Sequence, residues 1–178
     1  TALSQVKMLF DLGATPPDST SYEYAEANAA YSSGQVAAMV QWNAAAGDLT
    51  KAQAATGTTA PPAGPEGKFT HIHGLGLGLN KAAENKDGAT AFLQWLSTEE
   101  AALAYAKAGG APGLAAETAA KLASDRPDLV QVGEYASTHG FVMNGGTSEK
   151  ALSVYEAQAK EFTGFWAGTQ DLDTALKN

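Results

Sequence analysis

The chain is 178 residues long, with 44% hydrophobic and 17% charged residues, so it is globular rather than disordered, with room for one sizeable core or much of a two-lobed protein. Its formal charge of -8, from 11 basic against 19 acidic side chains, argues against a nucleic-acid or anionic-membrane surface, since both need clustered positive charge. There is no cysteine, which excludes disulfides, thiolate metal sites and cysteine nucleophiles.

Arginine occurs once, at Arg126, so bidentate recognition of phosphate or carboxylate has almost no local candidate, and the composition points to a neutral ligand. No apolar run approaches the roughly 20 residues of a membrane span. The chain opens inside an amphipathic pattern at Thr1-Ala2-Leu3, with neither initiator Met nor signal peptide, which reads as a fragment or a processed product.

Val6, Met8, Leu9, Phe10 and Leu12 form an apolar stripe that Gly13 ends, which predicts a first helix. Pro16-Pro17-Asp18-Ser19 is a loop, and Ser19 to Ser21 offer N-caps for a second helix that runs to Tyr31 and closes at Gly34. The run Val36 to Val40 reads as a buried strand that delivers Trp42, between the amides of Gln41 and Asn43, to a sheet edge. Asn43 to Ala55 predicts an Ala-rich helix with Leu49 as its only large apolar residue.

Gly57 to Lys68, with Pro61, Pro62 and Pro65, is a loop and the best candidate for a crossing between lobes. From Phe69 to Leu79 the chain alternates: His71, His73, Leu75, Leu77 and Leu79 share one parity, and Gly74, Gly76 and Gly78 the other. Extended, this puts large side chains on one face and bare backbone on the other, so either something packs closely there or a glycine-rich loop joins a strand.

Ala91, Phe92, Trp95 and Leu96 mark a helix whose aromatic residues have core spacing. Ser97-Thr98-Glu99-Glu100 has capping-box spacing and starts another helix, which ends at Gly109-Gly110 before Pro112. Short helices follow at 115–123 and 127–137, the second with Pro127 in its first turn. Asn144-Gly145-Gly146 reads as a loop near a hinge, 148–162 as a longer helix with Trp166 beyond it as a packing anchor, and Asp171 caps a final helix. The chain is α/β, helix-dominated, with two short strands and no internal repeat.

Several segments, in this order, resemble the C-terminal half of the extracellular solute-binding proteins that serve sugar ABC transporters, the maltose-binding-protein-like family. The family's "F-x-x-G-k-x-A-M" strand ending in an aromatic is matched by Tyr31-Ser32-Ser33-Gly34-Gln35-Val36-Ala37-Ala38-Met39, with one extra Ala, and by Trp42. Its "P-x-P-x-G-P-x-G" loop resembles Pro61 to Gly67, and its "G-G-x-G-x-x-I" segment resembles His73 to Leu79, with His73 in place of the first glycine. The helix pair "A-x-x-F-l-x-f-L-x-t-x-E" is similar to Ala89 to Glu100, the "G-g-x-P" turn to Gly109-Gly110-Ala111-Pro112, and the closing "ea-L" helix to Asp173 to Leu176.

The resemblance implies a periplasmic-binding-protein-like (type II) two-lobed fold with the N-terminal part of lobe one missing. Residues 1–68 would form the first part of lobe two, 69–113 would return to lobe one, and 114–178 would supply C-terminal helices mainly to lobe two. It implies the substrate-binding component of an ABC importer, periplasmic or extracellular, with lipid anchoring left open. Such a protein captures a neutral sugar or oligosaccharide in an inter-lobe cleft and delivers it to the permease. Its partners would be the sugar, the permease subunits and the missing N-terminal half of the same protein, with no nucleic acid, no cofactor and no enzymatic activity.

The ligand-binding residues expected on this basis are Trp42, Gln41, Asn43, His73, Gly74, Gly109 and Gly110. Trp42 would stack on the apolar face of a pyranose while amides take its hydroxyls; on residue type alone a core tryptophan is the favoured reading, and the family position reverses that preference. Neighbours on a strand point oppositely, so Gln41 and Asn43 cannot share the face of Trp42. At His73-Gly74 a missing Cβ would let backbone amides reach hydroxyls, against the alternative of a tight turn. Gly109-Gly110 caps a helix in either case.

Three alternatives stand beside this reading. A carbohydrate-active hydrolase fragment would need a carboxylate pair facing across a sugar, and no pair in the sequence is nominated for it. A metal-binding receptor would use His71 and His73 with a third ligand from His139 or a carboxylate. The chain alone could also be a folding fragment that binds nothing. No G-x-S-x-G, H-E-x-x-H, P-loop or dinucleotide fingerprint is present, and Glu99-Glu100 is explained by the helix macrodipole.

Overall fold

A computed structural model of the chain describes residues 1–143 and 148–177. Its elements, in chain order, are α1 (Ala2–Asp11), α2 (Tyr24–Ser32), α3 (Ala46–Ala52), β1 (Thr70–His71), α4 (Lys86–Leu96), α5 (Glu99–Lys107), α6 (Ala116–Ala120), α7 (Pro127–His139), β2 (Gly140–Phe141), α8 (Ala151–Trp166) and α9 (Leu172–Lys177). They fall into two compact units: residues 1–39 with the described residues from 143 onward, and residues 40–142. The Asn144-Gly145-Gly146 loop lies outside the described residues. No helix among those residues is long and apolar enough to cross a membrane.

In the first unit the hydroxyl of Thr1 caps α1 by accepting from the Ser4 amide at 3.2 Å, and Gly13, at φ 65°, turns the chain where other residues would be strained. Trp166 fastens α8 to α1: its ring stacks on Phe10 at 6.2 Å, and its indole N–H donates to the Leu3 carbonyl at 3.2 Å. Trp166 is thus the packing anchor that its place in the sequence predicts. Asp171 caps α9, accepting the Thr174 amide at 2.8 Å, and that bond holds its carboxyl below the ordinary range. The start of α2 departs from expectation. Ser19–Ser21 is a separate 3-10 turn, and Glu23 caps the helix through a reciprocal pair with Glu26.

The second unit is built on a small core of Ala106, Leu122 and Leu129, flanked by Leu103, Ala111 and Leu114. At its centre lies Arg126, buried with Asp128. The guanidinium donates bidentately to the Asp128 carboxylate at 2.9 and 2.7 Å, and to the carbonyls of Ala106 at 2.6 Å and Gly110 at 2.8 Å. One side chain therefore ties the end of α5 to the first turn of α7. Thr98, rather than Ser97, caps α5, its hydroxyl accepting from the Ala101 amide at 3.3 Å. Pro127 takes the first position of α7.

β1 and β2 are parallel neighbours, with Thr70 opposite Gly140 and His71 opposite Phe141, and the Ile72 amide extends the ladder to the Phe141 carbonyl at 2.8 Å. Gly140 has to be glycine here, because a Cβ would collide with the Ile72 side chain and the Ala136 carbonyl.

Three sequence expectations give way. Residues 36–42 are not a buried strand: Val40 is 89% exposed, and no neighbouring strand among the described residues takes up their backbone. An apolar run becomes a strand only where a ladder partner and a covering layer exist. The Gly74–Leu79 alternation is likewise outside β1; a Cβ on Gly74, Gly76 or Gly78 would meet nothing within 4 Å, so no close packing explains those glycines. Phe92 and Trp95 are not core residues either, for α4 buries none of its side chains and the two rings stack on each other at 5.9 Å on its surface.

Candidate functional site

Trp42 ends the extended stretch and caps a 3-10 turn, Asn43–Ala45, that leads directly into α3. Its carbonyl accepts the Ala45 amide at 3.0 Å. With 49% of its surface exposed, the residue is a surface aromatic and not a core one. The Gln41 side chain folds back so that its carbonyl oxygen accepts the Trp42 amide at 2.9 Å. Asn43 is half-buried at the first position of the turn.

Two imidazoles stand edge-on to the indole. The His73 ring lies 5.0 Å from the Trp42 ring at 87°, the His71 ring 6.1 Å away at 64°, and the two imidazoles are 6.0 Å apart. β1 carries His71 opposite Phe141, whose ring is 5.8 Å away, and Phe141 meets Phe69 edge-on at 6.4 Å. The result is a contiguous group of rings on the surface of the second unit: Trp42, His73 and His71 all neighbour one another, and a row runs on from His71 through Phe141 to Phe69. A hollow of about 330 Å³ adjoins its far end, lined by Glu66, Lys68, Phe69, Thr138, His139 and Phe141 among others. A larger hollow of about 570 Å³ lies in the first unit around Phe10, Pro16, Pro17 and Trp166, and none of the expected site residues borders it.

Gly74, beside His73, is exposed with open space on the side where a Cβ would sit, so its backbone is accessible. Gly109 has φ +105° and Gly110 lies under the Tyr105 ring, so both are required by the end of α5. The Gly109 backbone presses on α3 so closely that a Cβ on Gly47 would be 2.7 Å from the Gly109 oxygen. Through α3 the glycine turn is thus coupled to the segment that carries Gln41, Trp42 and Asn43, while Trp42 and His73 touch directly.

The chain's single arginine is spent on Asp128 and two backbone carbonyls. Glu99 is held below its ordinary range by Lys121 and then Thr118, a surface contact on α5. Among the described residues no three His, Cys, Asp or Glu side chains gather as a metal site. His139, the third ligand considered for His71 and His73, instead meets the Tyr135 ring at 4.9 Å.

Phe69 and Phe141 are members of the row that the sequence reading left out. The signal for Phe69 was present, because it shares the parity of His71 and His73. Phe141 joins only through the β1–β2 pairing, which spans about seventy residues of sequence and leaves no local trace.

The sequence model for the family described as bacterial extracellular solute-binding protein matches residues 1–103, more than half of the chain. The matched stretch includes Gln41, Trp42, Asn43, Phe69, His71, His73 and Gly74. No curated protein matches the chain.

Proposed function

The chain belongs to the family of bacterial extracellular solute-binding proteins, and from that membership we propose that it is a saccharide receptor with Trp42 as its stacking platform. The family's work is to capture a small solute outside the cytoplasm for ABC-type import. The finer reading is a neutral sugar or oligosaccharide, held in an inter-lobe cleft of the intact receptor and handed to the permease.

The observation that carries it is the half-exposed Trp42 ring flanked edge-on by His73 and His71. The CH face of a pyranose is apolar and its rim is lined with hydroxyls. An exposed indole supplies the matching apolar face, and the His73 imidazole with the Asn43 amide supplies donors and acceptors beside it. The internal use of Arg126 supports a neutral ligand over an anionic one. Closure of the receptor has to be driven by contacts made only in the closed form, since a ligand shifts a conformational equilibrium only by its differential affinity.

Calorimetric titration of the chain with a panel of neutral mono- and oligosaccharides tests this reading. Binding of at least one sugar is expected, weakened about 5- to 150-fold by Trp42→Ala, equivalent to roughly 1–3 kcal/mol. A Trp42→Ala variant that binds the same sugar as tightly would remove Trp42 from the site.

A further inference from the structure

We infer that His71 and His73 are the two protein ligands of a divalent transition-metal site, for Cu²⁺, Ni²⁺ or Zn²⁺, set beside the Trp42 ring. The inference stands on the geometry of these side chains and does not need the saccharide reading.

Residues two apart on extended backbone point to the same face. The Ile72 amide, between the two histidines, donates to the Phe141 carbonyl at 2.8 Å and so carries the ladder one residue past β1. The side chains agree with that backbone. The two imidazole rings are 6.0 Å apart, and both stand against the Trp42 ring, at 6.1 Å for His71 and 5.0 Å for His73. A tetrahedral ion held at about 2.0–2.1 Å by one nitrogen of each imidazole sets the ring centres about 5 Å apart. Closing the chelate therefore takes an approach of about 1 Å. His73 is exposed and has room to make it. His71 is half-buried and touches both Trp42 and Phe141, so one ligand is already placed and loses little freedom on binding.

The donor set selects the ion. Imidazole nitrogen suits copper, nickel and zinc, whereas Ca²⁺ and Mg²⁺ require oxygen ligands. The chain has no cysteine to offer a softer competing site, and its charge of -8 favours the approach of cations. Among the described residues no third His, Cys, Asp or Glu joins the pair, and His139 lies against the Tyr135 ring instead. The protein thus supplies two donors and leaves the remaining positions to water or an incoming ligand. With so few protein ligands the intrinsic order of the metals is retained, and Cu²⁺ should bind more tightly than Ni²⁺ or Zn²⁺.

The test titrates the untagged chain with Cu²⁺, Ni²⁺, Zn²⁺ and Mg²⁺ alone, followed by calorimetry and by tryptophan emission. Cu²⁺ and Ni²⁺, with open d shells, should bind saturably at a single site and quench Trp42. Zn²⁺, which is d¹⁰, should bind without quenching, and Mg²⁺ should do neither. Trp42→Phe should remove the quenching and keep the calorimetric binding. His73→Gln and His71→Gln should each weaken Cu²⁺ by about 10-fold or more, since either one abolishes the chelate, while His139→Gln should change nothing. Thermal melting confirms that each variant is folded, and the exposed His73 decides where His71→Gln proves unstable. Cu²⁺ binding that is unsaturable, that survives His73→Gln, or that depends equally on His139 would overturn the site. Each of those results would leave the saccharide reading of Trp42 untouched.

Discussion

Replacing Arg126 with Met should cost the protein about 4 kcal/mol of stability. Methionine keeps much of the aliphatic stem while removing the guanidinium. The change deletes two charge-assisted bonds to Asp128, at 2.9 and 2.7 Å, and the bonds to the Ala106 and Gly110 carbonyls. The side chains of the pair are only 10% and 11% exposed, so neither the orphaned carboxylate nor the Ala106 carbonyl is readily taken over by water. Breaking a buried ion pair by removing one partner typically costs about 3–5 kcal/mol. The unpaired carbonyls push toward the top of that range. The place of Asp128 in the first turn of α7, where the helix dipole favours a carboxylate, pulls it down. Against a total of about 5–15 kcal/mol for an ordinary domain, the loss is large.

Urea unfolding followed by circular dichroism measures it, and the double variant Arg126→Met/Asp128→Leu supplies the internal check. With no buried charge left unpaired, the double variant should be more stable than Arg126→Met alone. A loss below about 1 kcal/mol for Arg126→Met, or a double variant worse than the sum of the singles, would refute the view that this pair organises the core of the second unit.

Two further outcomes follow from local geometry. Gly47→Ala forces a Cβ to 2.7 Å from the Gly109 oxygen, which backbone cannot easily evade, so thermal melting should show about 1–3 kcal/mol of destabilisation, and saccharide affinity should fall as α3 shifts under Trp42. Unaltered melting would mean that α3 and the Gly109 turn are not in contact. Glu99, hydrogen-bonded to Lys121 at 2.5 Å and to Thr118 at 3.1 Å, has its pKa depressed below the ordinary 4.5. A carboxyl with a lowered folded-state pKa adds stability that is fully present above the unfolded value and is lost as pH falls through the folded one. Glu99→Gln should therefore melt lower than the parent at pH 6, and the gap should close below about pH 4.5; a gap that widens on acidification would have the wrong sign.

Much of the helical framework was legible because its signals are local. Gly13, Gly34 and Gly109 stop helices where the chain needs positive φ, Pro127 opens α7, and Asp171 caps α9. The failures share one cause. Val36–Val40, Gly74–Leu79 and the Phe92/Trp95 pair all carry apolar patterning that signifies strand or core only if another layer covers it, and a covering layer is a tertiary fact. The same limit divided the site. Trp42 and His73 were nominated as site residues from the family-like segments around them. Their link to Phe141 through His71, and the commitment of Arg126 to Asp128, depend on contacts that sequence spacing does not encode.

The most direct test of the central claim is intrinsic fluorescence during saccharide titration, comparing the chain with Trp42→Phe. Of its three tryptophans, Trp166 is anchored to α1 and Trp95 lies on α4, so Trp42 is the reporter at the proposed site. A saturable change on adding a neutral sugar, abolished or strongly reduced in Trp42→Phe, is the predicted result. A saturable change of full size in Trp42→Phe would show that sugar binds away from this ring and would contradict the site proposed here.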